Sequence, residues 1–447
     1  MNTPICDFLD AYAKSDARRF HMPGHKGNGE NASLDLTEID GLDSLYCDSG
    51  VILESEQNAS ELFGSYKTCY SAEGASQCIK AMLHIAKMCK NPTTRGYILA
   101  TRNAHSALIS ASILLDFDIK WIYPSESESY VSCNCSAKEI DSALSECESK
   151  PFALYVTSPD YLGNILDIGA ISSVCKKHGV ILLVDNAHGA YLKFSKSLSH
   201  PLELGADMCC DSAHKTLPAL TGGAYLHIGR DFKYRDYASE YAKSTMVLYG
   251  STSPSFLILA SLDKLNALVA DSELVLRQNE VENAVLALKK SLHVYGFEVL
   301  GDETLKITIN ASAYGYTGIE LAKLLRDKGI FVEFFDVDFV VMMLSCNTSL
   351  SDITYLKDTL KEIPKKEAIT RPALPVCKPE PVMSTRNACF LQKERVRVDN
   401  SLDRVLASSM VSCPPAVSIV VCGERIDKNA IALFKYYGTE LVYVIKE

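Results

Sequence analysis

The chain has 447 residues, of which 47% are hydrophobic and 22% are charged, and its formal net charge is −10. This length suits a large α/β domain with one or two smaller domains, and the composition is typical of a globular enzyme. The acidic charge disfavours nucleic acid and anionic membranes as partners. The sequence contains no apolar run long enough to span a membrane, and its first residues lack the pattern of a secretion signal.

The sixteen cysteines are spread along the chain, without a C-x-x-C pair or a cluster with histidine. The closest approach is "CNC" at 133–135. Without a secretion signal, this pattern favours reduced thiols in a cytoplasmic protein over a disulfide framework. The two histidines of "HMPGH" (21–25) are separated by Pro23-Gly24, which breaks any helix that would pair them on a metal. We therefore predict no metal site.

From about residue 60 to 230, short β-rich runs alternate with helical stretches. Near-continuous apolar strands separated by helices predict a mainly parallel sheet that is covered on both faces. The predicted strands are "GYILAT" (96–101), "IKWIY" (119–123), "FALYVTSP" (152–159), "VILLVDNAHG" (180–189) and "GADMCCD" (205–211), with helices at 104–116 and 167–179.

The pattern changes after a long helical region at 252–292. Strand-like runs at 297–301, 304–310 and 330–345, with helices at 318–329 and 352–363, predict a smaller α+β unit. A stretch rich in proline and lysine follows, which predicts a linker. The expected organisation is an amino-terminal arm and large domain over 1–265, a small α+β domain over 266–363, a linker over 364–381 and a carboxyl-terminal module over 382–447.

Three polar residues follow predicted strands, where open parallel sheets bind their ligands. They are Asp185 after "VILLV", His105 after "GYILATRN" and Lys215 after "DMCCDS". Singly, each has a structural interpretation, as a turn cap, a helix-terminal histidine and a surface lysine. Together they match pyridoxal 5'-phosphate, which needs a lysine for its imine, an acid for its ring nitrogen and a flat group against its ring.

The cofactor's phosphate has two candidate binding segments. "SAEGASQ" (71–77) precedes a predicted helix, so backbone N–H groups at Gly74, Ala75 and Ser76 can hold an anion at the helix N-terminus. Ser212 and His214 flank the lysine and can donate from the other side.

At these residues the sequence resembles the ornithine/lysine/arginine decarboxylase family. The resemblance extends over most of the chain, and its motifs follow the family's order. They are "RRFHMPGHKG" (18–27), "DLTEIDGLDSLYCDSGVILESEQNASELFGS" (35–65), "RNAHSAL" (102–108), "VDNAHGAY" (184–191), "SAHKTLPALT" (212–221) and "STSPSFLILASLD" (251–263). The resemblance implies the short form of the family. It also implies an α/β large domain of the aspartate-aminotransferase type (fold type I) with a mainly parallel sheet, a smaller α+β domain and a carboxyl-terminal module.

The resemblance also implies roles for single residues. Lys215 is expected to form the imine with pyridoxal 5'-phosphate, Asp185 to pair with the pyridine nitrogen and His105 to stack on the ring. Ala187 and His188 match the segment beneath the ring.

Other matching positions concern the phosphate and the partner subunit. Ser212 and His214 match positions beside the phosphate and the lysine. Ser251 or Ser253 is expected to reach the phosphate of a partner subunit, so the resemblance implies at least a homodimer with shared active sites.

The sequence departs from the family pattern in two segments. Ala72-Glu73-Gly74 stands where the family has a loop of glycine and hydroxyl residues, and Glu73 would repel a phosphate unless its side chain points away and only its N–H is used. "CPPAVSIVVCGE" (413–424) resembles the family's "PPGIPxxxPGE", but Ala416 replaces a glycine, and Ser418 and Cys422 replace prolines.

The expected function is decarboxylation of a basic amino acid, with arginine favoured over lysine and ornithine by the resemblance to short forms. Two alternatives remain open: another reaction of the same cofactor, such as transamination or elimination, and a non-catalytic homologue that acts by binding. We find no family-matched arginine for a substrate α-carboxylate, which disfavours a transaminase. The joint presence of Lys215, Asp185 and His105 disfavours the non-catalytic alternative.

Overall fold

The computed structural model describes residues 1–30, 32–90, 95–125, 129–372, 374–375, 377–408 and 415–446. The helices of these ranges are α1 (Pro4–Ala13), α2 (Gly50–Phe63), α3 (Ala75–Lys90), α4 (Ser106–Leu115), α5 (Ala137–Ser145), α6 (Ile168–His178), α7 (Ala213–Thr216), α8 (Arg235–Met246), α9 (Phe256–Ala270), α10 (Glu273–Tyr295), α11 (Gly318–Asp327), α12 (Leu350–Glu362), α13 (Thr385–Phe390) and α14 (Lys428–Tyr436). The strands are β1 (Lys67–Ser71), β2 (Tyr97–Thr101), β3 (Asp118–Ile122), β4 (Ala153–Thr157), β5 (Ile181–Asp185), β6 (Met208–Asp211), β7 (Ala224–Ile228), β8 (Glu298–Leu300), β9 (Lys306–Asn310), β10 (Phe334–Phe335), β11 (Phe339–Met343), β12 (Lys393–Arg397) and β13 (Leu441–Ile445).

The large sheet has the strand order β1-β7-β6-β5-β4-β2-β3 within the described part of the chain. The strands β6, β5, β4, β2 and β3 pair in parallel, and β7 runs antiparallel to both of its neighbours. The predicted mainly parallel sheet is therefore confirmed. Its central strand β5 is buried along its whole length, as a strand covered on both faces must be.

Both faces of this sheet are covered by helices. Leu183 of β5 packs into a core that includes residues of α3, α4 and α8. Its neighbours Leu182 and Val184 point to the other face, into a core with residues of α5 and α6. Because successive side chains of a strand alternate between faces, one apolar run supplies both layers.

The parallel register brings the carboxyl ends of distant strands to one edge. Asp185, the last residue of β5, is opposite Thr157 at the end of β4 and Cys210 near the end of β6. Two residues after β6 ends, the single turn α7 begins, and it carries Lys215. His105 follows β2 and is the N-cap of α4. This edge of the sheet therefore collects the residues that the sequence places after its strands.

Two smaller sheets follow in the chain. An antiparallel sheet of order β10-β11-β9-β8 has α10 and α11 beside it, and α12 packs on α10. The predicted helical region 252–292 is divided into α9 and α10 at Ser272, and the predicted strand 330–345 is divided into β10 and β11 by a turn. The paired strands β12 and β13 pack with α14 around a separate apolar core. Within the described ranges, every helix lacks the length or the apolar character needed to cross a bilayer.

Candidate active site

A cavity opens at the carboxyl edge of the large sheet. Five residues that the sequence marks as candidates line it: His105, Asp185, Ala187, His188 and Lys215. Its wall is completed by Asn103, Val131, Thr157, Pro159, Tyr161, Pro415, Ala416 and Val417. Loops that are distant in sequence therefore converge on one site, as the argument from strand ends predicts.

Asp185 is held in a fixed orientation at this edge. Its side chain is buried, with 2% of the residue exposed. The Tyr155 hydroxyl donates to Oδ2 over 2.7 Å, and the Ala187 N–H donates to Oδ1 over 3.2 Å. Burial and then the Asp185 charge raise the pKa of Tyr155 well above its ordinary value, so this hydroxyl keeps its proton. Tyr155 lies inside an apolar strand, so no local pattern in the sequence distinguishes it from a core residue.

His105 presents a neutral imidazole to the cavity. As the N-cap of α4, its Nδ1 accepts the Ala107 N–H over 3.1 Å, so the neutral ring carries its proton on Nε2. Burial lowers the pKa of His105, and the charge of Lys215 lowers it further against the opposing effect of Asp185. A flat, uncharged ring therefore lies at the position predicted to stack on a cofactor.

His188 lies between two lysines. Its Nε2 is 2.9 Å from the Nζ of Lys215, and its Nδ1 is 3.0 Å from the Nζ of Lys306. The ring of Tyr161 meets it edge to face at a centroid distance of 4.9 Å. Burial, followed by the charges of Lys215 and Lys306, lowers the pKa of His188 well below its ordinary value. The sequence did not predict Lys306, although a lysine at the head of the apolar run "KITIN" is an available signal.

The predicted phosphate segment forms the turn before α3. Gly74 has a φ of +70°, and a Cβ added there would meet no atom within 4 Å, so the turn faces open space. The Gly74 N–H donates to the Gly222 carbonyl over 2.8 Å. The N–H groups of Ala75 and Ser76 lie in the first turn of α3, where a helix has no internal acceptor for them. These two groups are the donors that the segment offers to an anion.

Glu73 turns its carboxylate away from this helix terminus. Its Oε1 accepts the Ser251 N–H over 3.3 Å, and its own N–H donates to the Ser71 hydroxyl over 3.0 Å. The side chain thus points towards the segment 251–253, which is the orientation that phosphate binding at this turn requires. The backbone N–H of Glu73 already donates to Ser71, so it is not available to the phosphate. Ser251 and Ser253 are exposed and lie outside the lining of the cavity.

Ser212 and His214, which flank Lys215, differ in their hydrogen bonds. Ser212 is buried at the N-cap of α7, and its hydroxyl makes no capping bond there. His214 donates from its backbone N–H and from Nδ1 to the Gly223 carbonyl, over 3.2 and 3.0 Å. Burial lowers the pKa of His214. In this arrangement, Ser212 keeps a hydroxyl for a ligand while the Nδ1 of His214 is committed to the backbone.

A buried network supports the site from beneath. Asp211 accepts the Asn186 amide on Oδ1 over 2.7 Å, and its Oδ2 lies 2.9 Å from His200 Nε2 and 3.2 Å from His227 Nε2. Burial acts to raise the pKa of Asp211, but the two histidines hold it well below its ordinary range. His200, Asp211 and Cys209 also have the composition of a metal site. The short contacts of Asp211 are hydrogen bonds that fix Asn186 and so the turn after Asp185.

The carboxyl-terminal segment forms one wall of the cavity. Ala416 has a φ of +56°, in the left-handed region that favours the glycine it replaces. Its carbonyl accepts the Ser106 N–H over 2.9 Å. The Ser418 hydroxyl is buried without a partner among the described residues, and the Cys422 thiol donates to the Thr385 carbonyl over 3.5 Å. Residues 413–414 of the predicted segment lie outside the described residues.

Comparison with known protein families decides the family. Residues 3–306 match the major domain of Orn/Lys/Arg decarboxylases, and residues 365–440 match the C-terminal domain of the same enzymes. The chain belongs to the Orn/Lys/Arg decarboxylase family. The predicted family is thereby confirmed, and the chain is a decarboxylase of the pyridoxal 5'-phosphate-dependent kind.

Individual decarboxylases show the extent of the similarity. The "Uncharacterized protein YaaO" of Bacillus subtilis (strain 168) is 29% identical over 96% of this chain and 93% of its own length. An arginine decarboxylase of the same organism is 28% identical over 97% of this chain and 93% of its own length. The crystal structure of the Francisella novicida lysine decarboxylase LdcF superimposes with a TM-score of 0.81 at 18% identity, covering 99% of this chain and 81% of that one. The predicted fold type I is confirmed.

The cavity of this decarboxylase fits the family's cofactor. An amine, a buried carboxylate and a neutral imidazole line the same space. The open turn at Gly74 leaves room for a phosphate at the N-terminus of α3.

Proposed function

We propose that this decarboxylase acts on arginine, in preference to lysine and ornithine, and releases the corresponding amine and CO₂. The observation that carries the reaction type is the convergence of Lys215, Asp185 and His105 on one cavity. The preference for arginine is supported by the curated arginine decarboxylase that matches this chain over 97% of its length at 28% identity. The lysine decarboxylases share the fold at lower identity.

In this proposal Lys215 binds pyridoxal 5'-phosphate through Nζ, Asp185 pairs with its ring nitrogen, and His105 and Ala187 face its ring. When bound, the cofactor accepts the electron pair that CO₂ leaves behind. Asp185 would hold the ring nitrogen, and the bonds that its carboxylate accepts from Tyr155 and Ala187 fix its orientation before the reaction begins.

The phosphate is assigned to the turn at Gly74 with the N–H groups of Ala75 and Ser76, and to the hydroxyl of Ser212. His214 is assigned a supporting position, because its Nδ1 already donates to the Gly223 carbonyl. A helix N-terminus stabilises a phosphate through its N–H groups and its dipole.

The remaining lining controls water and substrate orientation. Val131 and Val417 are buried apolar side chains on the cavity wall, which leave that part of the lining without a group to bind water. A carboxylate that enters such surroundings loses hydration, which favours its departure as neutral CO₂.

We propose that the enzyme is at least a homodimer in which Ser251 or Ser253 serves the phosphate site of the partner subunit. The exposure of both serines supports this proposal, as does the exposure of Phe20 (94%) and Met22 (67%) on the amino-terminal arm and of Leu248 (64%) near the serines. Large apolar side chains that are this exposed are available for contact with another chain. We assign the enzyme to the cytoplasm because its cysteines are not paired in disulfides among the described residues.

Incubation of the purified enzyme and cofactor with arginine, lysine and ornithine tests the proposal. We expect CO₂ and amine in stoichiometric amounts, fastest from arginine, and neither product from Lys215→Ala. Formation of a keto acid without release of CO₂ would instead indicate a transaminase. Failure to bind the cofactor and to turn over any of the three amino acids would instead indicate a binding role. The observation that favours this alternative is the carboxylate of Glu73 near the phosphate segment.

A further inference from the structure

Lys306 is a buried lysine that the reaction proposed above does not use. It is the first residue of β9, in the antiparallel sheet, and only 1% of it is exposed. Its Nζ contacts Glu303 Oε2 at 2.6 Å, the Asp160 carbonyl at 3.0 Å and His188 Nδ1 at 3.0 Å. An ammonium group has three donors, and each has a partner here. A buried charge with complete and specific partners indicates a defined role.

These contacts determine which nitrogen of His188 carries the proton. Lys306 can only donate, so Nδ1 of His188 must accept, and the proton of the neutral ring lies on Nε2. The same assignment holds if Glu303 takes the proton, because the two N–H groups left on Lys306 still serve the Asp160 carbonyl and His188. The Nε2–H of His188 then donates to the Nζ of Lys215 over 2.9 Å. A nitrogen that accepts a hydrogen bond has an unprotonated lone pair.

We propose that Lys306 is a positioning residue that fixes His188 in the Nε2–H form and thereby holds the Lys215 amine unprotonated. An amine reacts with an aldehyde only in its unprotonated form, so the arrangement prepares Lys215 for the cofactor. The inference rests on the proposed function only in taking Lys215 as the lysine that binds the cofactor. It links the small sheet to the chemistry of the large domain, because Lys306 and Lys215 belong to different sheets and meet through one ring.

The surroundings of His188 favour this state. Burial opposes a positive charge on the ring most strongly, and the charge of Lys306 on β9 opposes it further. The other titratable groups that face the ring are Lys215 and His214 on α7 and His105 at the start of α4. Tyr161 covers one edge of the ring. A second proton on His188 would therefore be unfavourable, and its Nε2–H remains a donor towards Lys215.

The test uses paired variants that remove a buried ion pair without leaving a lone charge. Lys306→Met with Glu303→Gln removes the donor to His188. Lys243→Met with Glu56→Gln is the matched control, because this pair is equally buried and its lysine contacts the Leu45 carbonyl, away from the cavity. Lys306→Arg keeps the charge and the donors.

Two measurements are made on the full-length protein without cofactor. Long-range ¹H–¹⁵N spectra of ¹⁵N-histidine protein report the tautomer of His188, and a His188→Gln variant identifies its signals. Competitive labelling with acetic anhydride, followed by peptide mass spectrometry, reports the reactivity of Lys215. We expect an Nε2–H tautomer in the unmodified protein, in Lys306→Arg and in the control pair. In the Lys306/Glu303 pair we expect a mixture of tautomers and about tenfold slower labelling of Lys215 at neutral pH, equivalent to a shift of one pH unit in its labelling midpoint.

The tautomer of His188 and the labelling rate of Lys215 distinguish this inference from a merely structural role of Lys306. If the role were structural, the Lys306/Glu303 variant would lose stability while the tautomer and the labelling rate stayed unchanged. An unchanged tautomer and an unchanged labelling rate in the Lys306/Glu303 pair would overturn the inference. Since neither measurement requires turnover, the inference stands or falls independently of the substrate panel. A positive result with no decarboxylation would contradict the proposed function alone.

Discussion

His188 makes the stability of the protein depend on pH in a way that the structure allows us to calculate. Its pKa in the folded protein lies well below the ordinary value of 6.5, chiefly because burial opposes a charge on the ring. The unfolded chain therefore takes up a proton at His188 as the pH falls from 7.5 to 5.5, and the folded chain does not. The stabilisation is present above pH 6.5 and is lost as the pH falls. For one such group, linkage gives a loss of about 1.4 kcal/mol over this interval.

The variant His188→Gln isolates this contribution. We expect its free energy of unfolding, measured by urea titration without cofactor, to fall between pH 7.5 and 5.5 by about 1.4 kcal/mol less than that of the unmodified protein. The overall stability of the variant does not enter, since only the difference between the two pH values is compared. His293→Gln is the control, because His293 is exposed in the folded protein. Equal pH dependence in the unmodified protein and in His188→Gln would refute the reasoning.

Three further predictions concern the site and its wall. Tyr155→Phe removes the 2.7 Å bond to Asp185. Because a hydrogen bond to a charged group contributes about 1.5–3 kcal/mol, we expect kcat for arginine to fall roughly tenfold to a hundredfold, while circular dichroism shows that the fold is retained. An unchanged kcat would mean that this hydroxyl does not contribute to the chemistry. Glu73→Ser removes a carboxylate near the phosphate segment, so we expect cofactor titration to give a Kd that is several-fold lower. A higher Kd would show that the bond from the Ser251 N–H to Glu73 contributes more to cofactor binding than the removed charge opposes it. Ala416→Gly relieves a left-handed φ of +56°, and thermal unfolding should show a gain of about 1 kcal/mol, whereas a loss would mean that the Ala416 methyl group packs favourably.

The sheet, and the convergence of the candidate site residues on one cavity, could be predicted from the sequence because both depend on local signals. Apolar runs of strand length alternate with helices, and polar residues such as Asp185 and Lys215 follow the runs directly. The parallel order of the strands then brings these ends together without further information. The predicted domain boundaries stay predictions, and α9 (Phe256–Ala270) crosses the one at residue 265.

The supporting residues could not be predicted in this way. Tyr155 lies within an apolar strand, and only the register between β4 and β5 directs its hydroxyl to Asp185. Lys306 is separated from His188 by 118 residues and lies in another sheet. Asp211 ends a strand like Asp185 does, but its histidine partners come from a loop and from an antiparallel neighbour. Each contact depends on packing between elements, which periodicity does not encode.

The carboxyl-terminal module contacts the candidate active site through the loop that carries His105. Arg102, three residues earlier, forms two bonds to Glu424 of 3.0 and 2.9 Å, and its guanidinium also donates to the Ile419 carbonyl. On the other side, His105 forms a backbone bridge with Val417. The loop is thus bonded to the module at the Arg102 side chain and at the backbone of His105. Because bidentate arginine–carboxylate pairs are geometrically strict, the module cannot shift without moving this loop. The departures from the family pattern in 415–424 therefore lie where they act on the wall and on the loop of His105, whereas Asp185 is oriented by Tyr155 and Ala187 of the large domain.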